Sequence, residues 1–95
     1  MMKLSKYLIK KNISDGSYII VNSGVLYYKL NYVNYFRFAI KVSKNASFFS
    51  SKRNKIKRKI VEIFRLNNDK FIGLDIFFFI NQFESFLFKR FMALL

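Results

Sequence analysis

Three observations predict an α+β domain. Phe36 to Ser43 alternates strictly, with Phe36, Phe38, Ile40 and Val42 on one side and Arg37, Ala39, Lys41 and Ser43 on the other, which is the period of a strand. Lys52 to Arg65, read as KRNKIKRKIVEIFR, keeps Ile56, Ile60, Ile63 and Phe64 within one arc at about 100° per residue, which is the period of a helix. Leu74 to Ile80, read as LDIFFFI, is a continuous apolar run of strand length and suits a central strand covered on both faces.

The remaining elements follow in order. Leu4 to Lys11 forms a short amphipathic helix with Leu4, Tyr7, Leu8 and Lys11 on one side, ended by Asn12 and the turn signal Ser14-Asp15-Gly16. Ser17 to Val21 and Gly24 to Leu30 are β-rich pieces parted by Asn22-Ser23-Gly24, so a hairpin or meander is expected there, with Asn31 to Asn34 as the next turn. A loop from Lys44 to about Ser50 leads into the basic helix, with Ser50 or Ser51 as its N-cap and Asn67-Asn68 closing it. Gln82 to Leu95 carries Phe83, Phe86, Leu87, Phe91 and Leu94 at helical spacing. The predicted order is αβββαβα.

Ninety-five residues with no repeat, no Pro-rich or Gly-Ser linker and no compositional break suit one domain over residues 1–95. A hydrophobic fraction of 53% supplies its core. The net charge of +13 is far from balanced, and self-repulsion on this scale is usually kept because an anionic partner neutralises it. RNA, DNA and an acidic membrane surface all qualify. With neither Cys nor His, disulfides, thiolate or imidazole metal sites and the usual general base are all missing. The five acids, Asp15, Glu62, Asp69, Asp75 and Glu84, are scattered too widely to announce a carboxylate pair or a metal cage. No catalytic residue and no protein-bound cofactor is expected.

MMKLSKYLIKKN is too short in its apolar part for a secretory segment, and the run Phe71 to Ile80 holds Gly73 and Asp75 where a membrane span needs roughly 20 apolar residues. A cytoplasmic protein without a membrane partner is expected. Abundant Lys, Asn, Ile, Phe and Tyr beside no Pro, Trp, Cys or His resembles translation from an AT-rich genome, so the 13 Phe are weak evidence for a stacking platform.

Six of the first eight side chains from Lys52 to Lys59 are cationic, above an apolar stripe. Asn54, Lys57, Arg58 and Arg65 gather on a face adjoining that stripe. A disordered basic tail would lack the stripe, and a buried helix could not hold Lys55, Lys57, Arg58 and Lys59 without partners. The segment therefore reads as a docked helix with a charged outer face. The bland alternative is a solvated face that touches nothing.

Val42-Ser43-Lys44 at the strand end, Arg53-Asn54-Lys55-Ile56-Lys57-Arg58 at the helix start, and Glu62, Phe64 and Arg65 beyond it resemble the signature of the bacterial ribonuclease P protein component. Arg37 and Leu74-Asp75-Ile76 add softer likeness, and together the similarity covers about residues 30–95. The chain departs from the pattern at Asn45, Lys55, Lys59 and Val61, which leaves the net basic character intact.

The resemblance implies a sandwich with a four-stranded sheet, similar to domain 2 of ribosomal protein S5, with the basic helix crossing between parallel neighbours in the rare left-handed sense. It implies a subunit that carries no nucleophile. The catalytic RNA of ribonuclease P, with Mg2+ in its own active site, removes the 5′ leader of precursor tRNA, and the protein assists by binding both RNAs. Lys44, Arg53, Asn54, Lys55, Lys57, Arg58 and Arg65 are the RNA-binding candidates, since Arg forks onto phosphate oxygens and Asn can bond a 2′-hydroxyl. Glu62 would temper Arg58 or Arg65 by pairing along the helix.

Leader binding would use the sheet and first helix, with Tyr7, Tyr27, Tyr28, Phe38 and Lys41 as candidates, each aromatic also being a reasonable core residue. Phe77, Phe78, Phe79, Phe86 and Phe91 read as core. Two other readings share the charge: a ribosomal or other structural RNA-binding protein without a role in cleavage, and a peripheral membrane binder.

Overall fold

The computed structural model describes residues 2–21, 24–44 and 49–81. The elements run β1 (Met2–Lys3), α1 (Lys6–Asp15), β2 (Ser17–Val21), β3 (Gly24–Leu30), β4 (Arg37–Val42), α2 (Ser50–Leu66), a 3-10 turn (Asn68–Phe71) and β5 (Leu74–Ile80). The architecture is α+β, with two helices and a five-stranded mixed sheet in the order β1-β4-β5-β3-β2. The expected helix over Gln82 to Leu95, with Phe86 and Phe91, lies outside the described residues.

The sheet has five strands where four were expected. Met2 and Lys3 pair in parallel with Arg37 and Phe38, through bonds from the Met2 N–H to the Phe36 carbonyl (2.9 Å) and from the Leu4 N–H to the Phe38 carbonyl (2.7 Å). A strand of two residues has no period to detect. What creates it is the open edge of β4, whose backbone groups are satisfied by any extended chain that reaches them.

β5 is central, parallel to β4 and antiparallel to β3, and its residues from Asp75 to Phe78 are all buried. The apolar run is therefore covered on both faces as its sequence implied. β4 and β5 are parallel neighbours, and α2 makes the connection between them. On the α2 side, Phe38 and Val42 from β4, Ile76, Phe78 and Ile80 from β5, and Leu26 from β3 pack with Ile56, Ile60 and Phe64 from the helix. Ile63, expected on the same stripe, is only half-buried at its margin. Phe64 packs edge-on against Phe36 and Phe71, with centroids 5.4 and 5.6 Å away.

α1 begins and ends later than expected. Ser5 is its N-cap, the hydroxyl accepting from the Leu8 N–H at 3.2 Å, so buried Leu4 precedes the helix. Asn12, read from sequence as a stop, lies inside the helix, where its Nδ2 donates to the Asp75 carbonyl at 2.9 Å. An Asn that anchors a helix to a sheet carries the same letter as one that ends it. The stop is Gly16, whose N–H donates to the Asn12 carbonyl at 3.0 Å. A Cβ there would lie 2.5 Å from that carbonyl oxygen and 2.7 Å from the Tyr28 carbonyl oxygen, so the chain can turn under β3 only at a glycine.

α2 also departs from its predicted cap. Phe49 occupies the N-cap position without a side-chain bond, and both Ser50 and Ser51 are already helical. At the far end Asn67 closes the helix as expected, its N–H and its Nδ2 both donating to the Ile63 carbonyl, at 3.0 and 2.9 Å. The 3-10 turn then drops Phe71 into the core.

Candidate nucleic-acid interface

Docking the Ile56–Ile60–Phe64 stripe on the sheet fixes which way the charged side chains of α2 point. Asn54, Lys57 and Arg58 line a groove of about 710 Å3 between the helix and the β1–β4 edge, and Lys3 of β1 stands on its other bank. Leu4, Ala39, Ile40 and Val61 form its floor. Asn54, Lys57 and Arg58 are exposed and have no side-chain partner among the described residues. Glu62 also lines the groove, its carboxylate taken by Arg65, so an apolar trough rimmed by an excess of cations and an amide suits a nucleic-acid strand, with phosphates at the rim and sugars or bases toward the floor.

The other candidates on this helix divide. Arg65 is exposed one turn beyond Val61, and its guanidinium forks onto Glu62, with Nε to Oε2 at 3.0 Å and the second nitrogen on Oε1. Of the two partners expected for Glu62, Arg65 is the one it takes. That hydrogen bonding holds the Glu62 carboxyl below its ordinary range and raises Arg65. Both groups are solvated, so the pair orders side chains more than it stabilises the fold. Arg53 falls on the same arc as Ile60 and Phe64 and is half-buried, turned from the groove toward the sheet side. Lys55 is exposed about a sixth of a turn from Arg58 on the far flank. Lys44 is exposed just past β4.

The leader candidates also divide, between two faces. On the face turned away from α2, Tyr27 stacks on Phe77 with centroids 5.9 Å apart and 19° between planes, and Tyr18 lies 6.2 Å beyond. Lys41 stands on the same face, opposite Phe79 in register and exposed. α1 packs against β2, β3 and β5, and its last residue, Asp15, reaches Lys29 on this face at 3.8 Å. Tyr7 on α1 is 66% exposed, with the Lys11 ammonium 5.9 Å from its ring. Tyr28 and Phe38 belong to the α2 side instead. Phe38 is buried with its ring 6.0 Å from Phe64, and Tyr28 packs against the same cluster, so neither shares a surface with Tyr27 and Lys41. Period-two alternation decides this: Tyr27 and Tyr28 are adjacent and must point oppositely, whereas Phe38 follows the core side of β4.

Two features escaped the sequence reading. Lys3 could be placed only once β1 was known to extend the sheet. The second is a network at one end of the sheet: Arg37 forks onto Asp75, with Nε to Oδ1 at 2.7 Å and the terminal nitrogen to Oδ2 at 3.0 Å, and Asn31 donates to Oδ1 at 3.0 Å. Asn31 also donates to the Tyr35 carbonyl and accepts from the Val33 N–H, which ties the β3–β4 turn to the central strand. A lone acid in an apolar strand is the signal, because a buried carboxylate needs a partner. Among the described residues no three His, Cys, Asp or Glu side chains converge, and no helix is long and apolar enough to cross a membrane.

The fold and these two surfaces define a basic RNA-binding α+β domain. The family model described as Ribonuclease P matches residues 6–91, and the chain belongs to that family as a protein subunit of ribonuclease P. The ribonuclease P protein of Staphylococcus aureus is similar in structure with a TM-score of 0.76 and 27% identity, over 84% of this chain and 74% of that one. The ribonuclease P protein of Thermotoga maritima gives a TM-score of 0.71 and 26% identity, over 95% of this chain and 80% of that one. A Thermotoga maritima protein in complex with 1-(4-fluorophenyl)-2-thiourea gives 0.68 and 26%, over 92% and 77%. No curated protein sequence matches.

Proposed function

We propose that this subunit holds the catalytic RNA of ribonuclease P in the groove beside α2 and the 5′ leader of precursor tRNA on the opposite sheet face, in the cytoplasm. The observation that carries the proposal is the placement of a cationic groove and an aromatic, Lys41-bearing surface on opposite sides of one sheet. One domain can then touch two RNAs at once. Asn54, Lys57 and Arg58 are assigned to the catalytic RNA, with Lys3, Lys44, Lys55 and Arg65 at the margins and Arg53 at the sheet side. Tyr27, Lys41 and Tyr7 are assigned to the leader. Hydrolysis belongs to Mg2+ held by the catalytic RNA, and the protein contributes binding and orientation.

Reconstitution with a bacterial-type catalytic RNA at low magnesium tests this directly. The protein is expected to restore leader removal, and the log-log salt slope of its RNA affinity should lie at roughly −4 to −5, the value for about six neutralised phosphates. An unchanged cleavage rate with copurification on ribosomal subunits would instead mark a structural RNA-binding protein. Within the groove, Arg58→Ala should weaken RNA binding by about 1 to 3 kcal/mol, or roughly 5- to 150-fold, the range for a charge-assisted contact. Filter binding at fixed salt measures it, and an affinity within twofold of the parent removes Arg58 from the interface.

A further inference from the structure

We infer that the backbone of Ile40 binds a ribose 2′-hydroxyl and so makes the groove beside α2 selective for RNA over DNA, an inference that rests on assigning that groove to the catalytic RNA. The Met2 and Leu4 N–H groups donate to the Phe36 and Phe38 carbonyls, so the even-numbered residues of β4 turn their backbone groups toward the β1 edge. The Ser43 N–H donates to the Ile80 carbonyl at 2.8 Å, so the odd-numbered residues turn theirs toward β5. Ile40 is the next even-numbered residue after Phe38, but β1 ends at Lys3 and Leu4 leads into the Ser5 cap of α1. The Ile40 N–H and C=O therefore face outward with no backbone partner among the described residues.

This open pair lies inside the groove. Ile40 is part of its floor, and Lys3, Lys57 and Arg58 line its banks. Charge complementarity selects the occupant: the cations of the groove outnumber its one acid, Glu62, which Arg65 already engages, so a polyanion is drawn in ahead of a peptide strand. With phosphates held at the banks, the sugar faces the floor. A 2′-hydroxyl both donates and accepts, which matches one N–H and one C=O offered by the same residue, and a deoxyribose has nothing to give either group. A bound strand without that hydroxyl displaces water from Ile40 and leaves both backbone groups unpaired, which is what turns the match into discrimination.

Amide hydrogen exchange on the full chain tests the inference. In the free chain Ile40 should exchange roughly tenfold or more faster than Ala39 and Lys41, whose amides face β5, and a saturating bacterial-type catalytic RNA should slow it to their range. The same RNA carrying phosphorothioate-tagged 2′-deoxynucleotides at random positions locates the hydroxyl. Substitution at one nucleotide should weaken the complex about 5-fold, the scale of a hydrogen bond. Replacing Ile40 by its α-hydroxy acid analogue, which exchanges only the N–H for an oxygen, should weaken binding of unmodified RNA by a similar factor and abolish the 2′-deoxy effect at that nucleotide. If the analogue does not fold, exchange in the parent carries the test alone. Slow exchange of Ile40 in the free chain overturns the inference, by giving the edge to another segment of the protein. A 2′-deoxy profile that is the same for parent and folded analogue also overturns it. An Ile40 amide that RNA leaves unprotected while Arg58→Ala weakens binding overturns it too, and keeps the groove as the RNA site. If Arg58→Ala binds as tightly as the parent and RNA protects no amide of the groove, the assignment of the groove itself has failed and the inference falls with it.

Discussion

Asp75→Ala should lower the unfolding free energy by about 3 to 5 kcal/mol, the cost of breaking a buried ion pair by removing one partner. The Asp75 side chain is 6% exposed, and its two oxygens receive the Arg37 fork and the Asn31 amide. Removing the carboxylate leaves a guanidinium only 19% exposed with no counter-charge, and it frees the β3–β4 turn that Asn31 anchors. For a domain whose whole stability is about 5 to 15 kcal/mol, that loss is a large fraction. Urea unfolding followed by circular dichroism measures it, and a loss below about 1 kcal/mol would mean that solvent reaches Arg37 freely. Replacing both partners, as in Arg37→Met with Asp75→Leu, should recover most of the loss, since two apolar groups of similar shape leave no stranded charge. Asn12 donates to the Asp75 backbone carbonyl, so the α1 anchor should survive every side-chain change at this position.

This network also marks where the sequence stopped being legible. Local period identified β4 and α2 because each turns an apolar stripe to the core, a continuous apolar run identified β5, and the basic face of α2 was visible because the stripe fixes its direction. What could not be read are contacts between residues distant in the chain. Arg37 and Asp75 are 38 residues apart and become register partners only when β4 pairs with β5. Asn12 and Asp75 are 63 apart, which is why an anchoring Asn looked like a helix stop. Lys3 entered the groove through a two-residue strand too short for any pattern. Tyr28 and Phe38 were grouped with Tyr27 and Lys41 by residue type, although alternation within each strand already separates Tyr27 from Tyr28 and Phe38 from Lys41; only the pairing of β3 and β4 with β5 shows that Tyr27 and Lys41 share a face.

Phe64→Ala should cost about 3 to 5 kcal/mol, the range for deleting a fully buried Phe from a packed core. Phe64 is 0% exposed and sits among Phe36, Phe38 and Phe71, whose centroids are 5.4, 6.0 and 5.6 Å from its own. Three rigid rings cannot collapse into the space it leaves, so the cavity term adds to the lost transfer energy. The functional consequence differs in kind from that of Arg58→Ala. Phe64 holds α2 on the sheet and touches no partner surface, whereas Arg58 rims the groove and adds nothing to the core. Phe64→Ala should therefore unfold early in urea, while the fraction that remains folded binds RNA within a few-fold of the parent. Arg58→Ala should unfold with the parent and bind weakly. If the groove beside α2 holds the RNA as proposed, saturating catalytic RNA should also restore stability to Phe64→Ala by mass action, about 2.7 kcal/mol at a hundredfold excess over Kd. If RNA protects neither protein, the charged face of α2 is not what the RNA grips.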